Sequence, residues 1–235
     1  MESTGVWLKD MLEANKSPAF ERLFAIYNRN LLKRRFHSFQ ISGLDFLFNK
    51  NSNSPLIIYC NHSSWWDGLI AFQISYQIGL NSFVMMEEKQ LRKLFMFRLL
   101  GAFSVVREKP REALESINYA ARVLRNDPKN TLWIFPQGEI LPNDLRPLKF
   151  YNGLAKIIEK VGKCSITSLS MRYEFLNEFK PQIFVRIEEL ETIAEKDGFN
   201  VKNLTRKLSN RLTDNLNILK SDVIEKNFGG YKCVF

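Results

Sequence analysis

The stretch that decides the fold is PLIIYCNHSSWWDG, residues 55–68. Its first part, Pro55–Cys60, is a short apolar run, which is typical of a strand buried on both faces. A polar turn then leads into a predicted helix over Asp67–Gln77, and a strand followed by a helix is the repeating unit of a parallel sheet. We therefore expect His62 to lie just past the carboxyl end of a buried strand, where such sheets carry their sites.

Strands and helices alternate on both sides of this stretch. Further strands are predicted over Phe39–Ile41, Ser82–Met86, Phe103–Val106, Thr131–Phe135, Ser165–Tyr173 and Gln182–Ile187, and further helices over residues 5–37, Glu88–Leu100, Arg111–Arg125, Asn152–Val161 and Val201–Lys220. This alternation predicts an α/β fold, a mostly parallel sheet flanked by helices with an N-terminal helical segment. We expect an amphipathic helical segment over residues 1–37 and one α/β domain over residues 38–235.

Composition and charge limit the possible classes of protein. The 235 residues are 45% hydrophobic and 13% aromatic, which supports a sizeable core and excludes wholesale disorder. Three cysteines and two histidines are too few for a disulfide scaffold or a His-rich metal site, so we expect a reduced compartment and no metal. The apolar runs are shorter than the roughly 18 residues of a transmembrane helix. The charged N-terminus is unlike a signal peptide. We therefore expect a cytoplasmic protein.

The formal net charge of +9 indicates an anionic partner. A membrane surface, a nucleic acid and a phosphorylated ligand all fit this charge. The first predicted helix combines an apolar face with a basic end. The apolar face is formed by Phe20, Leu23, Phe24, Tyr27 and Leu31. The basic end is formed by Arg29, Lys33, Arg34 and Arg35. Both a helix packed on the domain and an amphipathic helix lying on a membrane fit this pattern.

His62 and Asp67 are the candidate catalytic pair. A turn between them can fold the carboxylate back onto the imidazole, which fixes the tautomer and leaves the other ring nitrogen basic. His62 is then a candidate general base. Taken alone, this spacing also fits a histidine that caps a helix. The chain has no Gly-x-Ser-x-Gly motif, and strand alternation predicts that Cys60 points away from His62. We therefore expect the base to act on a substrate hydroxyl, without a covalent enzyme intermediate.

Two further blocks follow predicted strands. Arg107 comes after Phe103–Val106 and could grip a phosphate, although an ordinary surface arginine fits equally. The second block is Phe135, Pro136, Gln137, Gly138 and Glu139, where a buried strand stops at a proline and a glycine. Such a turn lets the backbone approach a ligand closely, and it also fits an ordinary tight turn.

The order of these blocks, with Phe150…Gly153 before a helix, resembles the lysophospholipid and glycerolphosphate acyltransferases of the PlsC type. The resemblance runs from about Phe36 to Tyr173. It implies transfer of an acyl chain from acyl-CoA or acyl-carrier protein to a lipid hydroxyl, commonly on a lysophospholipid such as 1-acylglycerol-3-phosphate. It also implies the fold of those enzymes, with no bound cofactor or metal, at the cytoplasmic face of a membrane with anionic lipids. Nucleic acid is not an expected partner.

The same resemblance assigns roles to the residues. His62 removes the proton from the acceptor hydroxyl and Asp67 orients His62. Arg107 binds the acceptor's phosphate, and the loop Phe135–Glu139 helps to hold the acceptor. Among the aromatics, Trp65 and Phe95 are predicted to pack in the core with Trp66 and Phe97 rather than to line an acyl tunnel.

This sequence also departs from the family pattern. Gln137 stands where the family usually has Glu, Glu139 and Ile140 replace Thr and Arg, and Tyr151 stands where Lys is frequent. The segment Ile166–Leu169 lacks the family's proline. These changes leave a second hypothesis open, an acceptor without phosphate such as a glycolipid, a carotenoid glycoside or a lyso-aminolipid. A third hypothesis, of another class, is a non-catalytic basic module that binds membranes or nucleic acid.

Overall fold

The structure is a computed structural model that describes residues 11–48, 53–194 and 200–235. Its helices are α1 (Pro18–Arg35), α2 (Leu44–Phe48), α3 (Asp67–Ile78), α4 (Glu88–Lys93), α5 (Pro110–Asn126), α6 (Gly153–Val161) and α7 (Val201–Ile224), with a 3-10 helix over Phe95–Leu100. Its strands are β1 (Phe39–Ser42), β2 (Leu56–Cys60), β3 (Asn81–Glu87), β4 (Ala102–Val105), β5 (Asn130–Ile134), β6 (Cys164–Glu174), β7 (Gln182–Ile187), β8 (Glu191–Ile193) and β9 (Lys232–Cys233).

Within the described residues, the nine strands form one mixed sheet. The order is β4-β3-β5-β2-β6-β7-β1-β9, and β8 pairs with β6. The five strands from β4 to β6 run parallel, as do β7 and β1, while β6 is antiparallel to β7 and β8 and β1 is antiparallel to β9. The predicted α/β class and the mostly parallel sheet are therefore confirmed.

Helices cover both faces of the sheet, which explains why every residue of β2 is buried. Ile57 and Tyr59 face the layer that contains α5, α6 and α7, and Leu208, Leu212 and Leu216 of α7 pack in the same cluster. Ile58 and Cys60 face the opposite layer, which contains α1 and α3. Because both faces are dry, the strand needs apolar side chains on each side and shows no polar alternation.

The N-terminal helix begins later than predicted. Helix α1 starts at Pro18, with the Ser17 side chain accepting from the Phe20 N–H at 3.3 Å. A residue before proline is disfavoured in the helical region, and Ser17 is accordingly extended. Residues 11–17 form no helix and run along β4, where the Ser104 N–H donates to the Leu12 carbonyl at 2.8 Å. Residues 5–10 of the predicted helix lie outside the described residues.

Helix α1 packs on the domain through a different face from the predicted one. Phe24, Ala25, Asn28 and Leu32 are buried, and Phe24 packs edge-on against the rings of Phe72 and Phe97. Leu23, Ile26 and Tyr27 are exposed instead. In the described part of the chain, no helix combines the length and apolar content needed to cross a bilayer. The domain division at residue 37 stays a prediction.

The predicted helix over Glu88–Leu100 is two shorter pieces. Leu94 leaves the helical region, with φ −112° and ψ 47°, and separates α4 from the 3-10 helix. Three short elements, α2, β8 and β9, were not predicted. Each has five residues or fewer, which is too short for apolar periodicity to show.

Candidate active site

The turn between β2 and α3 places a carboxylate beneath the site. Asp67 is the first residue of α3, and its side chain is fully buried. Its Oδ2 accepts hydrogen bonds from the backbone N–H groups of Ser63 and Ser64, at 2.7 and 2.9 Å. These two donors stabilise the ionised carboxylate in a place that excludes water.

His62 meets this carboxylate as the sequence predicted. Its Nδ1 lies 2.8 Å from Asp67 Oδ2, and the ring is tilted against that of Phe135 at 4.5 Å between centroids. The carboxylate accepts a hydrogen bond from Nδ1–H, so the neutral imidazole has its lone pair at Nε2. Since 23% of the His62 side chain is exposed, the site can take up a proton from a bound hydroxyl.

Asp67 has a further partner that sequence reasoning missed. The hydroxyl of Tyr173, on β6, donates to Asp67 Oδ1 at 2.5 Å. Burial and the charge of Asp67 raise the pKa of Tyr173 well above its ordinary value. The two residues are 106 positions apart, and the sequence contains no local signal for this contact.

Asn61 is a second residue that sequence reasoning missed. Its side chain accepts from the Met171 N–H at 2.8 Å and donates to the Met171 carbonyl at 2.9 Å. It also donates to Asn143 Oδ1 at 2.9 Å. The residue before His62 is therefore tied both to β6 and to the loop after β5.

The predicted loop after β5 forms a tight turn beside His62. The Gly138 N–H donates to the Phe135 carbonyl at 2.9 Å, and Gly138 has φ +73°, which favours glycine. Pro136 is buried, and its carbonyl accepts from the Tyr151 N–H at 2.9 Å. Buried Gln137 accepts from the His62 N–H through Oε1, also at 2.9 Å. The amide at position 137 thus anchors the backbone of the candidate base.

Arg107 lies next to this turn. Its guanidinium stacks over the Tyr151 ring, with 5.7 Å between Cζ and the centroid. A Cβ at position 138 would lie 2.6 Å from its Nη1, so the guanidinium occupies space that only glycine leaves. Within the described residues, no carboxylate lies within 4.0 Å of Arg107, and its buried Nε has no hydrogen-bond partner. The arginine is therefore available to an anion.

Other candidate cations and loop residues lie apart from this arrangement. Glu139 and Ile140 are exposed. Arg146 is bound to the Asn143 carbonyl and to Asn217 Oδ1, and burial lowers its pKa. Lys149 is exposed.

The aromatic side chains divide into two groups. Trp66 packs on Phe36 at 5.1 Å and Phe97 packs on Phe24, as expected for core residues. The same prediction was wrong for Trp65 and Phe95, which are 54% and 56% exposed.

The Cys60 thiol is not placed to act as a nucleophile. Burial raises the pKa of the Cys60 thiol, and the charge of Asp67 raises it further, so the thiol stays protonated. Its Sγ points at the Ile134 carbonyl, 3.8 Å away. Among the described side chains, no three His, Cys, Asp or Glu groups gather in a way that could hold a metal ion.

Comparison with known proteins identifies the family. Residues 38–172, more than half of the chain, match the acyltransferase family. A comparison with curated proteins gives no match. The fold is similar to that in the crystal structure of the 1-acyl-sn-glycerophosphate (LPA) acyltransferase PlsC from Thermotoga maritima, with a TM-score of 0.64 and 16% identity. That similarity covers 85% of this chain and 79% of the other chain. This chain belongs to the acyltransferase family and is an acyltransferase enzyme.

Proposed function

We propose that this enzyme transfers a fatty acyl chain from an acyl thioester to the hydroxyl of a lysophospholipid, with His62 as the general base. The observation that carries the proposal is the 2.8 Å contact between His62 Nδ1 and Asp67 Oδ2, beside a turn that also contacts Arg107, for which the described residues provide no carboxylate partner. The contact equips His62 to accept a proton, and Arg107 provides a charge that suits a phosphate.

The proposed reaction needs no group other than the two substrates and the His62–Asp67 pair. His62 Nε2 takes the proton of the acceptor hydroxyl as the oxygen attacks the thioester carbonyl carbon. The new C–O bond forms, the C–S bond breaks, and the departing sulfur receives the proton from His62. Asp67 stabilises the imidazolium that exists between the two proton transfers. Acyl-CoA and acyl-carrier protein are both suitable thioester donors.

Arg107 supports an acceptor that carries a phosphate. A guanidinium binds phosphate through two parallel hydrogen bonds, and a partly buried one without a carboxylate partner has its charge uncompensated. Gln137, which departs from the family pattern, has its Oε1 bonded to the His62 backbone. Because a glutamate oxygen could accept the same hydrogen bond, the change from Glu keeps the anchor of the His62 backbone.

We also propose that the enzyme works at the surface of an anionic membrane. Leu23, Ile26 and Tyr27 on α1 are exposed, and so are Phe95 and Met96 on the 3-10 helix that packs against it. We call these five residues the apolar patch. Cations of α1 flank the patch at Arg22 and Arg29, and such basic residues contribute about 1 kcal/mol each near an anionic surface. A lipid acceptor would reach the enzyme from this surface.

An acceptor panel tests the proposal. Purified enzyme is given labelled acyl-CoA or acyl-carrier protein with lysophosphatidic acid, other lysophospholipids, a glycolipid and a lyso-aminolipid, and products are identified by mass. We expect a product with the phosphate-bearing acceptors and about a 10-fold or larger loss of kcat/KM for them in Arg107→Gln. A clear preference for a phosphate-free acceptor, unchanged in Arg107→Gln, would reject the proposed acceptor class.

A further inference from the structure

The two oxygens of the Asp67 carboxylate have separate partners. Oδ2 accepts from His62 Nδ1 and from two backbone N–H groups, while Oδ1 accepts from the Tyr173 hydroxyl. The carboxylate is fully buried, so each of these donors replaces a water molecule that it would bind in solution. The tyrosine is the side chain on the opposite side of the carboxylate from the imidazole.

The length of β6 brings Tyr173 to this place. Strand β6 pairs with β2 as far as Leu169 beside Cys60, then continues to Glu174 past the end of β2. Alternation places Tyr173 on the same face as Leu169, toward the layer that contains α3. The side chain of Asn61 holds the backbone of Met171, two residues earlier, through two hydrogen bonds. The position of the hydroxyl is thus fixed by strand register.

Packing also fixes the ring. Tyr173 is tilted against Phe36 at 5.7 Å, and Phe36 in turn meets Trp66, the residue before Asp67, edge to face at 5.1 Å. Among the described residues, three titratable groups lie near this hydroxyl: the Asp67 carboxylate, the His62 imidazole that is hydrogen-bonded to Asp67, and the Cys60 thiol. Because its pKa is raised by burial and by Asp67, the phenol keeps its proton and acts as a donor.

We propose that Tyr173 is a positioning residue for acyl transfer, holding the Asp67 carboxylate in the orientation that His62 requires and drawing negative charge toward Oδ1. This inference rests on the proposed function, in which His62 is the base. Without this donor the carboxylate would be held through Oδ2 alone, and more of its charge would act on the imidazole. His62 would then hold its proton up to a higher pH, and a protonated imidazole cannot serve as the base.

The test is Tyr173→Phe, with Tyr231→Phe as the matched control. Tyr231 also donates to a carboxylate, Asp222 Oδ2 at 2.8 Å, but it lies near the C-terminus, and the control removes the same type of bond. In Tyr173→Phe we expect kcat to fall about 10-fold, as for the loss of one charge-assisted hydrogen bond, with both KM values within about twofold. We expect the acid limb of the pH–rate profile to move to higher pH. Unchanged kcat and pH profile, or equal effects of the two variants, would overturn the proposal.

A second readout does not depend on turnover. The chain has two histidines, so the imidazole signals in a nuclear magnetic resonance titration are easily assigned with a His37→Asn variant. We expect the titration midpoint of His62 to move upward in Tyr173→Phe and to stay in place in Tyr231→Phe. If the enzyme transfers no acyl chain but the midpoint moves, the proposed function fails while the coupling of Tyr173 to His62 stands. An unmoved midpoint overturns the coupling itself.

The unaltered chain provides a measurement if Tyr173→Phe does not fold. A buried, hydrogen-bonded hydroxyl proton exchanges slowly and gives a downfield signal, which contacts to the Phe36 ring would assign to Tyr173. We expect this signal to shift as His62 is titrated. A signal that stays constant through the titration of His62 would overturn the proposal.

Discussion

Gly138→Ala is expected to weaken acceptor binding in addition to the backbone cost that it imposes on the fold. Gly138 has φ +73°, a conformation that costs an L-residue about 1–2 kcal/mol. A Cβ there would lie 2.6 Å from Arg107 Nη1 and 2.9 Å from Tyr151 Cε2. Both atoms belong to the ends of side chains that can move aside. The clash should therefore displace the guanidinium from its place and cost the fold little.

Gly79→Ala is the matched control for the backbone cost. Gly79 ends α3 with φ +71°, and an added Cβ there meets nothing within 4 Å. We expect both variants to lose about 1–2 kcal/mol of unfolding free energy. Only Gly138→Ala should raise the KM for a phosphate-bearing acceptor, by about 10-fold, which corresponds to about 1.4 kcal/mol.

Two measurements test this comparison. Urea unfolding gives the stability of each variant, and initial rates at saturating donor give the KM for the acceptor. The reasoning is refuted if Gly138→Ala keeps the acceptor KM of the parent enzyme, or if Gly79→Ala raises it equally. It is also refuted if Gly138→Ala is several kcal/mol less stable than Gly79→Ala, because the fold would then absorb the clash.

Three further predictions concern other parts of the molecule. Gln137→Ala removes the acceptor of the His62 N–H. We expect urea unfolding to show a loss of about 1–3 kcal/mol in unfolding free energy, together with a fall in kcat. If both values are unchanged, Gln137 does not anchor the His62 backbone. The pair Leu23→Asp and Ile26→Asp should reduce flotation with phosphatidylglycerol vesicles about 10-fold or more, whereas Ile224→Asp, an equally exposed site on α7, should not. Hydrogen bonds from Arg172 and, to a lesser extent, from Lys220 lower the pKa of the Asp144 carboxyl from 3.8 to about 2. The ionised carboxylate therefore stabilises the fold above about pH 4, and this stabilisation is lost as the pH falls through about 2. Asp144→Asn should therefore cost up to about 1 kcal/mol at pH 7, since the group is half exposed, and this cost should disappear near pH 2 in urea titrations at each pH.

The sheet could be predicted because its central strands are buried on both faces. The run Leu56–Cys60 is apolar at every position but Tyr59, whose ring packs in the core, and Leu132–Ile134 of β5 is a shorter apolar run. Strands β8 and β9 have three and two residues and pair through their backbones. Backbone pairing requires no particular side chains, and two or three residues are too few to show an alternating apolar pattern. These short strands therefore could not be predicted.

The His62–Asp67 pair could be predicted because it is local. A turn of four residues can bring the two side chains together, and the strand before it and the helix after it fix its direction. Tyr173 is 106 positions away in the sequence and contacts the same carboxylate because β6 extends past the end of β2. That contact depends on strand register and strand length, which the sequence of β6 alone does not specify.

The surface aromatics show another limit of sequence reasoning. Large aromatic residues usually lie in cores, and on that ground Trp65 and Phe95 were expected to be buried. Both are exposed, and Phe95 carries the Arg98 guanidinium over its ring at 4.7 Å. Burial of a given aromatic depends on which side of its helix or turn faces the sheet, and irregular segments such as 61–66 and the 3-10 helix lack the periodicity that would show this.

The central claim is that His62 is the base for acyl transfer to a lysophospholipid. It is tested most directly by comparing the parent enzyme with His62→Ala, using labelled acyl-CoA or acyl-carrier protein and lysophosphatidic acid, with circular dichroism to verify folding. The account predicts a labelled diacyl product from the parent enzyme and a loss of at least about 100-fold in the variant, since general-base catalysis contributes about 10²–10⁴-fold. A folded His62→Ala variant that transfers acyl chains at the parent rate would contradict it.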